Sequence, residues 1–116
     1  MTAFSDKIGV GVIGCGHWGP NHIRVFSELD HSQVIACADL SADRLARVQK
    51  RFPSVRSTRD YRDLLRDPDI RAVVVATPTA THFELVRDAL LSGKHVLVEK
   101  PMCRTSDEAR ELVRIV

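Results

Sequence analysis

The stretch that decides the fold is Ile8-Gly9-Val10-Gly11-Val12-Ile13-Gly14-Cys15-Gly16-His17-Trp18-Gly19-Pro20. Ile8–Ile13 is short, rich in β-branched residues and bounded by glycine, which predicts a buried strand. Gly14, Gly16 and Gly19 then form GxGxxG, and a helix is expected over residues 18–29, with Ile23, Val25, Phe26 and Leu29 on a helical period. Each glycine answers a separate demand. Gly14 permits a tight turn, Gly16 lets the backbone approach a diphosphate, and Gly19 lets the helix sit close to the strand. The N–H groups and positive dipole end of the helix would face the phosphates. Pro20 falls in the first turn, where a missing N–H matters least.

Outward from this loop the same alternation continues. Strands are expected at residues 34–38, 55–57 and 72–76 and at His95–Val98. Helices are expected at residues 41–52, 60–66 and 81–92 and from Thr105 to the end. Leu45, Val48 and Phe52 mark the apolar stripe of one helix, which Pro53 closes. Thr81 with Glu84, and Thr105 with Glu108, have the spacing of capping boxes, and Gly93 supplies a helix stop. Strands that read as unbroken apolar runs suit a sheet covered on both faces. The predicted fold class is therefore α/β, a doubly wound parallel sheet of the Rossmann type. Residues 1–116 are expected to form one dinucleotide-binding domain. The last apolar helical pattern reaches Val116 with no cap after it, so the chain is expected to stop in mid-architecture.

Asp39 follows Gly19 by 20 residues and ends the second strand. There a carboxylate can accept hydrogen bonds from the adenosine ribose hydroxyls. The same charge would repel the additional phosphate of NADP, which favours NAD. Arg44, one helical turn on, leaves NADP open. Strand, loop, helix, strand and acid in this order distinguish a nucleotide site from a structural glycine turn.

Composition narrows the rest. The 116 residues fit one domain, and 44% hydrophobic with 28% charged residues is a globular balance. A net charge of +2 is too small to suggest nucleic acid or a membrane surface. Cys15, Cys37 and Cys103 are odd in number and widely spaced, so neither a disulfide framework nor a metal site is indicated. Cys15 reads as a spacer in the loop and Cys37 as core. The opening MTAFSDKIGV lacks a leader pattern, and no apolar run reaches membrane-spanning length. A soluble, cytoplasmic chain is expected.

Two further segments fall at carboxyl ends of strands, where open α/β sheets bind ligands. They are Ala76-Thr77-Pro78-Thr79-Ala80-Thr81-His82 and Glu99-Lys100-Pro101. GCGHWG, ATPTATH and VLVEKP together resemble the glucose–fructose oxidoreductase / inositol dehydrogenase / MocA-like (Gfo/Idh/MocA) family, along essentially the whole chain. EKP after a strand is the most specific of the three.

The resemblance implies hydride transfer between a nicotinamide cofactor and a hydroxyl-bearing carbon of a sugar, cyclitol or nucleotide-sugar. It implies that Gly14, Gly16, His17, Trp18 and Gly19 cradle the diphosphate and that Asp39 holds the adenosine ribose. Thr77, Pro78 and His82 would line the central part of the cofactor, and Glu99 would sit beside the nicotinamide ribose. Lys100 would contact the substrate hydroxyl as the catalytic residue. An ammonium beside a reacting alcohol can stabilise developing alkoxide and relay its proton. The family's second α/β domain, which forms the substrate pocket, has no counterpart in these residues. The chain alone is expected to bind cofactor without useful activity, and to self-associate or meet a partner chain. Other readings of the same residues are a non-enzymatic dinucleotide-sensing or scaffold module, and a methyltransferase binding S-adenosylmethionine. The EKP and ATPTATH segments argue against the latter.

Overall fold

The computed structural model describes residues 6–116; residues 1–5, half of the opening read above for a leader, lie outside the described residues. The elements are β1 (Ile8–Ile13), α1 (Gly19–Glu28), β2 (Ser32–Ala38), α2 (Ala42–Arg51), β3 (Arg56–Thr58), α3 (Arg62–Arg66), β4 (Ala72–Val75), α4 (His82–Leu91), β5 (His95–Val98) and α5 (Ser106–Ile115). A 3₁₀ turn, Thr79–Thr81, leads into α4. The sheet is wholly parallel in the order β3-β2-β1-β4-β5. The order reverses between β1 and β4, so the chain leaves these neighbouring strands toward opposite faces and opens a crevice at their carboxyl ends.

Both faces of the sheet are covered, which is why the strands are apolar without strict alternation. On one side Val10, Val12, Cys37 and Val74 pack with Ile23 of α1 and with Leu45 and Val48 of α2. On the other, Ile13, Val73 and Val75 meet Leu64 of α3, Leu85, Val86 and Ala89 of α4, and Leu112 of α5. Each fully buried aliphatic side chain contributes about 1.5–3 kcal/mol relative to exposure. The β1–β2 register slips between Val10 and Gly11: Val10 faces Val34, but Gly11 faces Ala36. The slip leaves Ile35 as an extra residue, so Val34 and Cys37 reach one core while Ala36 and Ala38 reach the other.

The helix ends follow their local chemistry, with one exception. Ser41 caps α2 by accepting from the Arg44 N–H at 3.3 Å. Thr105 caps α5 through the Glu108 N–H at 3.1 Å, and the Glu108 carboxylate reaches back to the Arg104 N–H at 3.0 Å. At the end of α4 the Lys94 N–H returns to the Ala89 carbonyl at 3.0 Å, past Gly93. The expected Thr81–Glu84 capping box does not form. Thr81 is helical in backbone and makes no capping bond. Its hydroxyl lies instead 2.8 Å from Thr77 Oγ1 and 2.7 Å from the Pro78 carbonyl oxygen. The 3₁₀ turn has already bent the chain, so Thr81 lacks the extended φ/ψ that a capping hydroxyl needs.

Candidate functional site

Four strand ends are tied together by three main-chain hydrogen bonds before any side chain is considered. The Gly14 N–H donates to the Ala38 carbonyl at 2.7 Å, Ala76 N–H to Ile13 at 2.8 Å and Glu99 N–H to Val75 at 3.0 Å. The loops after β1, β2, β4 and β5 therefore leave from fixed points along one edge of the sheet.

The three loop glycines differ in what the chain itself demands. Gly14 has φ +100°, and a Cβ there would lie 2.5 Å from the Ala76 carbonyl oxygen. A Cβ on Gly19 would lie 1.9 Å from the Gly14 carbonyl oxygen, because α1 starts directly against the loop. Gly16 is unlike both. Its Cβ would meet nothing nearer than the Arg44 guanidinium, at 3.7 Å. Among the described residues nothing requires glycine at 16, whereas a diphosphate resting on the loop would. The opening of α1 has no acidic residue in its first turn and no capping side chain, so no carboxylate of its own competes for that place. His17 and Trp18 stand exposed above the loop with their rings edge to face at 5.1 Å, Trp18 55% exposed.

Asp39 is held from two sides. One carboxylate oxygen accepts from the Cys15 N–H at 2.7 Å and the other from the Ser41 N–H at 2.7 Å. The side chain is 8% exposed, and the Arg44 guanidinium stands 3.9 Å away. Asp39 thus joins the phosphate loop to the start of α2 and keeps lone pairs for a ligand. It lies on a crevice of about 420 Å³ that also takes in Gly14, Thr77, Pro78, Arg59 and Arg62. Arg59 was not singled out from sequence. Its Nε donates to the Leu40 carbonyl at 3.1 Å, and it stands as a second cation on the crevice that Asp39 lines. Tyr61 lines the same crevice, but its hydroxyl donates to Asp88 at 2.6 Å. Burial first, and that bond second, push its pKa up to about 12. A wider depression of about 840 Å³, around Lys7, Gln33, Arg56 and Asp69, opens at the amino ends of the strands. Ligands of open parallel sheets bind at the other end, so the smaller crevice is the site.

The later residues separate into three positions. Thr77 and Pro78 form a wall of the crevice. His82, expected beside them, is only 1% exposed. Its ring nitrogens lie 2.8 Å from the Thr77 and 2.8 Å from the Pro101 carbonyl oxygens. Correcting the expectation, His82 stands behind the wall and braces the Thr77 loop against the loop after β5. Glu99 and Lys100 close β5, with a cis Lys100–Pro101 peptide bond. Lys100 is exposed, and its ammonium makes no ion pair among the described residues. Glu99 hydrogen-bonds His22 of α1, a residue that sequence reasoning passed over.

Cys15 and Cys37 are buried and free, and Cys103 is half-buried and free. The neighbouring Cys37 thiol, followed by burial, holds the Cys15 thiol above its ordinary range. No activated thiolate is therefore built into the loop. Iodoacetamide at neutral pH is expected to label Cys103 first, and Cys15 and Cys37 only after denaturation; peptide mass spectrometry reads this directly.

Glycine loop, the acid that ends β2 and switch-point crevice together define a dinucleotide-binding Rossmann domain. Residues 8–116 match the GFO_IDH_MocA family, described as an oxidoreductase family with an NAD-binding Rossmann fold. The chain belongs to that family. It is 36% identical over 114 residues to inositol 2-dehydrogenase of Rubrobacter xylanophilus, covering 97% of this chain and 33% of the relative. Among solved structures it resembles GenD2 from gentamicin A biosynthesis in complex with NAD, with 32% identity and TM-score 0.90, covering 94% of this chain and 31% of that one. It also resembles KijD10, a 3-ketoreductase from Actinomadura kijaniata in complex with NADP and TDP-benzene, with 34% identity and TM-score 0.86, covering 94% and 34%. The chain spans about a third of the length of these proteins. Among the described residues no group of His, Cys, Asp and Glu is placed to hold a metal ion. No described helix is long and apolar enough to cross a membrane.

Proposed function

We propose that the chain supplies the cofactor site of an oxidoreductase acting on a hydroxyl-bearing carbon of a sugar, cyclitol or nucleotide-sugar. The observation that carries the cofactor half is Gly16, a glycine that the fold leaves open and a diphosphate would fill. The N–H groups opening α1 hold the diphosphate, Asp39 the adenosine ribose, and the Thr77–Pro78 wall the centre of the cofactor. Bound there, the nicotinamide supplies the hydride acceptor or donor.

Lys100 is the catalytic residue of this reading. It is exposed at the end of β5, one residue from Glu99, and its ammonium makes no ion pair among the described residues. A cation so placed stabilises negative charge on a reacting oxygen and passes its proton on. Inositol 2-dehydrogenase and the complex of KijD10 with TDP-benzene support the substrate class. Among the described residues nothing opposite Lys100 grips a sugar, so these 116 residues bind cofactor without turnover. β5 is an edge strand with Leu97 half exposed, which supports self-association or a partner chain there.

Trp18 is the only tryptophan and sits on the phosphate loop, so it reports on binding. NADH is expected to quench Trp18 fluorescence saturably, by energy transfer to the dihydronicotinamide. Lys100→Ala is expected to keep that titration within about twofold, since one rim cation contributes little to binding. A flat titration would remove the cofactor assignment. NAD reduction by the chain with inositol or glucose would remove the claim that it lacks turnover.

A further inference from the structure

We propose that His22 is a positioning residue for the nicotinamide end of the site, holding the Glu99 carboxylate across the gap between α1 and β5. The inference rests on the cofactor reading above and extends it to a residue that this reading leaves without a role. His22 lies one turn into α1, and Glu99 follows β5, 77 positions later. The Nε2 of His22 meets one carboxylate oxygen of Glu99. A carboxylate oxygen accepts, so the imidazole donates through its Nε2–H.

The geometry gives this contact a directional consequence. The Glu99 backbone is already fixed by its N–H on the Val75 carbonyl at 3.0 Å. What remains free is the side chain, whose rotamer freedom is lost when it is held in one place. His22 removes much of that freedom before any ligand arrives. It engages only one carboxylate oxygen; the other makes no hydrogen bond among the described residues and is left to accept from a ribose hydroxyl. Both side chains are partly exposed, so the pair is not a core contact, and its value to stability is small. It also links the helix that opens on the diphosphate to the strand end that carries Lys100.

The test is calorimetric titration of NAD, ADP-ribose and ADP into the 116-residue chain and its variants. NAD and ADP-ribose carry the distal ribose; ADP does not. His22→Ala is expected to weaken NAD and ADP-ribose about five- to tenfold, within the range of one ordinary net hydrogen bond, and to leave ADP within about twofold. His22→Gln keeps a donor near Nε2 and is expected to recover most of the loss. In the Glu99→Gln background, His22→Ala should add nothing further.

Equal weakening of ADP and NAD would show a general loss of α1 and overturn the proposal. Unchanged NAD affinity in His22→Ala would overturn it as well. In either case ADP binding by the unaltered chain preserves the cofactor reading. If the unaltered chain binds neither ADP nor NAD, that reading falls, and the role of His22 with it.

Discussion

Replacing the three loop glycines one at a time by alanine is expected to give two outcomes that do not overlap. Gly19→Ala and Gly14→Ala should each lower the melting temperature by roughly 10 °C or more, from a cost of about 3 kcal/mol in a domain of this size. Gly16→Ala should melt within a few degrees of the unaltered chain. The difference lies in what each new methyl would strike. At Gly19 it meets backbone, the Gly14 carbonyl oxygen at 1.9 Å and the Gly14 carbonyl carbon at 2.8 Å. No rotamer relieves a clash with backbone, and the loop cannot retreat, because the Gly14 N–H is tied to Ala38. At Gly14 the Ala76 carbonyl stands 2.5 Å away, and φ is +100°, a conformation that L side chains rarely adopt. Against a total stability of about 5–15 kcal/mol, losses of this size are large.

Gly16→Ala reverses the pattern. Its methyl finds ordinary contact distance to Arg44 and no closer neighbour. Stability should change by about 0.5–1 kcal/mol, while NADH affinity, read by Trp18 quenching, should fall at least about tenfold as the diphosphate is lifted from the loop. A Gly16→Ala chain that binds NADH normally would mean that the ligand does not lie on this loop. A Gly19→Ala chain of unchanged melting temperature would mean that α1 does not start where the structure places it.

The sequence carried these features to different degrees because their causes act over different distances. The glycine loop is local: strand, turn and helix start occupy consecutive residues, so pattern and geometry coincide. The parallel sheet was legible because right-handed crossovers leave few ways to arrange five short apolar runs. The register slip at Ile35 was not legible, since it depends on two cores competing for neighbouring β2 residues. Thr81 and Thr105 show the limit within a single motif. Both have Glu three residues on, but Thr105 is extended and caps, whereas Thr81 sits at the end of a 3₁₀ turn and turns its hydroxyl back to Thr77 and Pro78. Nearby hydroxyl partners compete with capping, and only the path of the chain decides. His22 was missed for a different reason: its partner is 77 positions away, and no spacing rule reaches that far. The burial of His82 could not be read either, because its ring is enclosed by carbonyls from two separate loops.

Asp39→Ala is the second large effect, and it separates the job this carboxylate performs in the fold from the one proposed for it. In the folded chain its oxygens accept from the Cys15 and Ser41 N–H groups. Removing them strands two main-chain donors, one in a buried loop, at about 1–3 kcal/mol for each donor left dry. That loss falls on NAD and NADP alike, because it loosens the phosphate loop beneath both. The second job is discrimination. A carboxylate facing the adenosine ribose accepts from its hydroxyls and repels a phosphate placed there.

With Asp39 gone, Arg44 loses an anionic neighbour 3.9 Å away, and Arg59 and Arg62 still line the crevice. A 2′-phosphate would then meet three guanidinium groups without the Asp39 carboxylate between them. NADH affinity is expected to fall roughly 10–100-fold, the worth of one or two hydrogen bonds to a charged acceptor, and NADPH affinity to fall far less. The ratio of the two should therefore move toward NADPH. Asp39→Asn tests the split: the amide keeps an acceptor for one N–H but carries no charge, so it should retain more stability than Asp39→Ala and shift the ratio in the same direction. If NADH and NADPH weaken together in both variants, with the ratio unmoved, then Asp39 only anchors the loop and the adenosine ribose lies elsewhere.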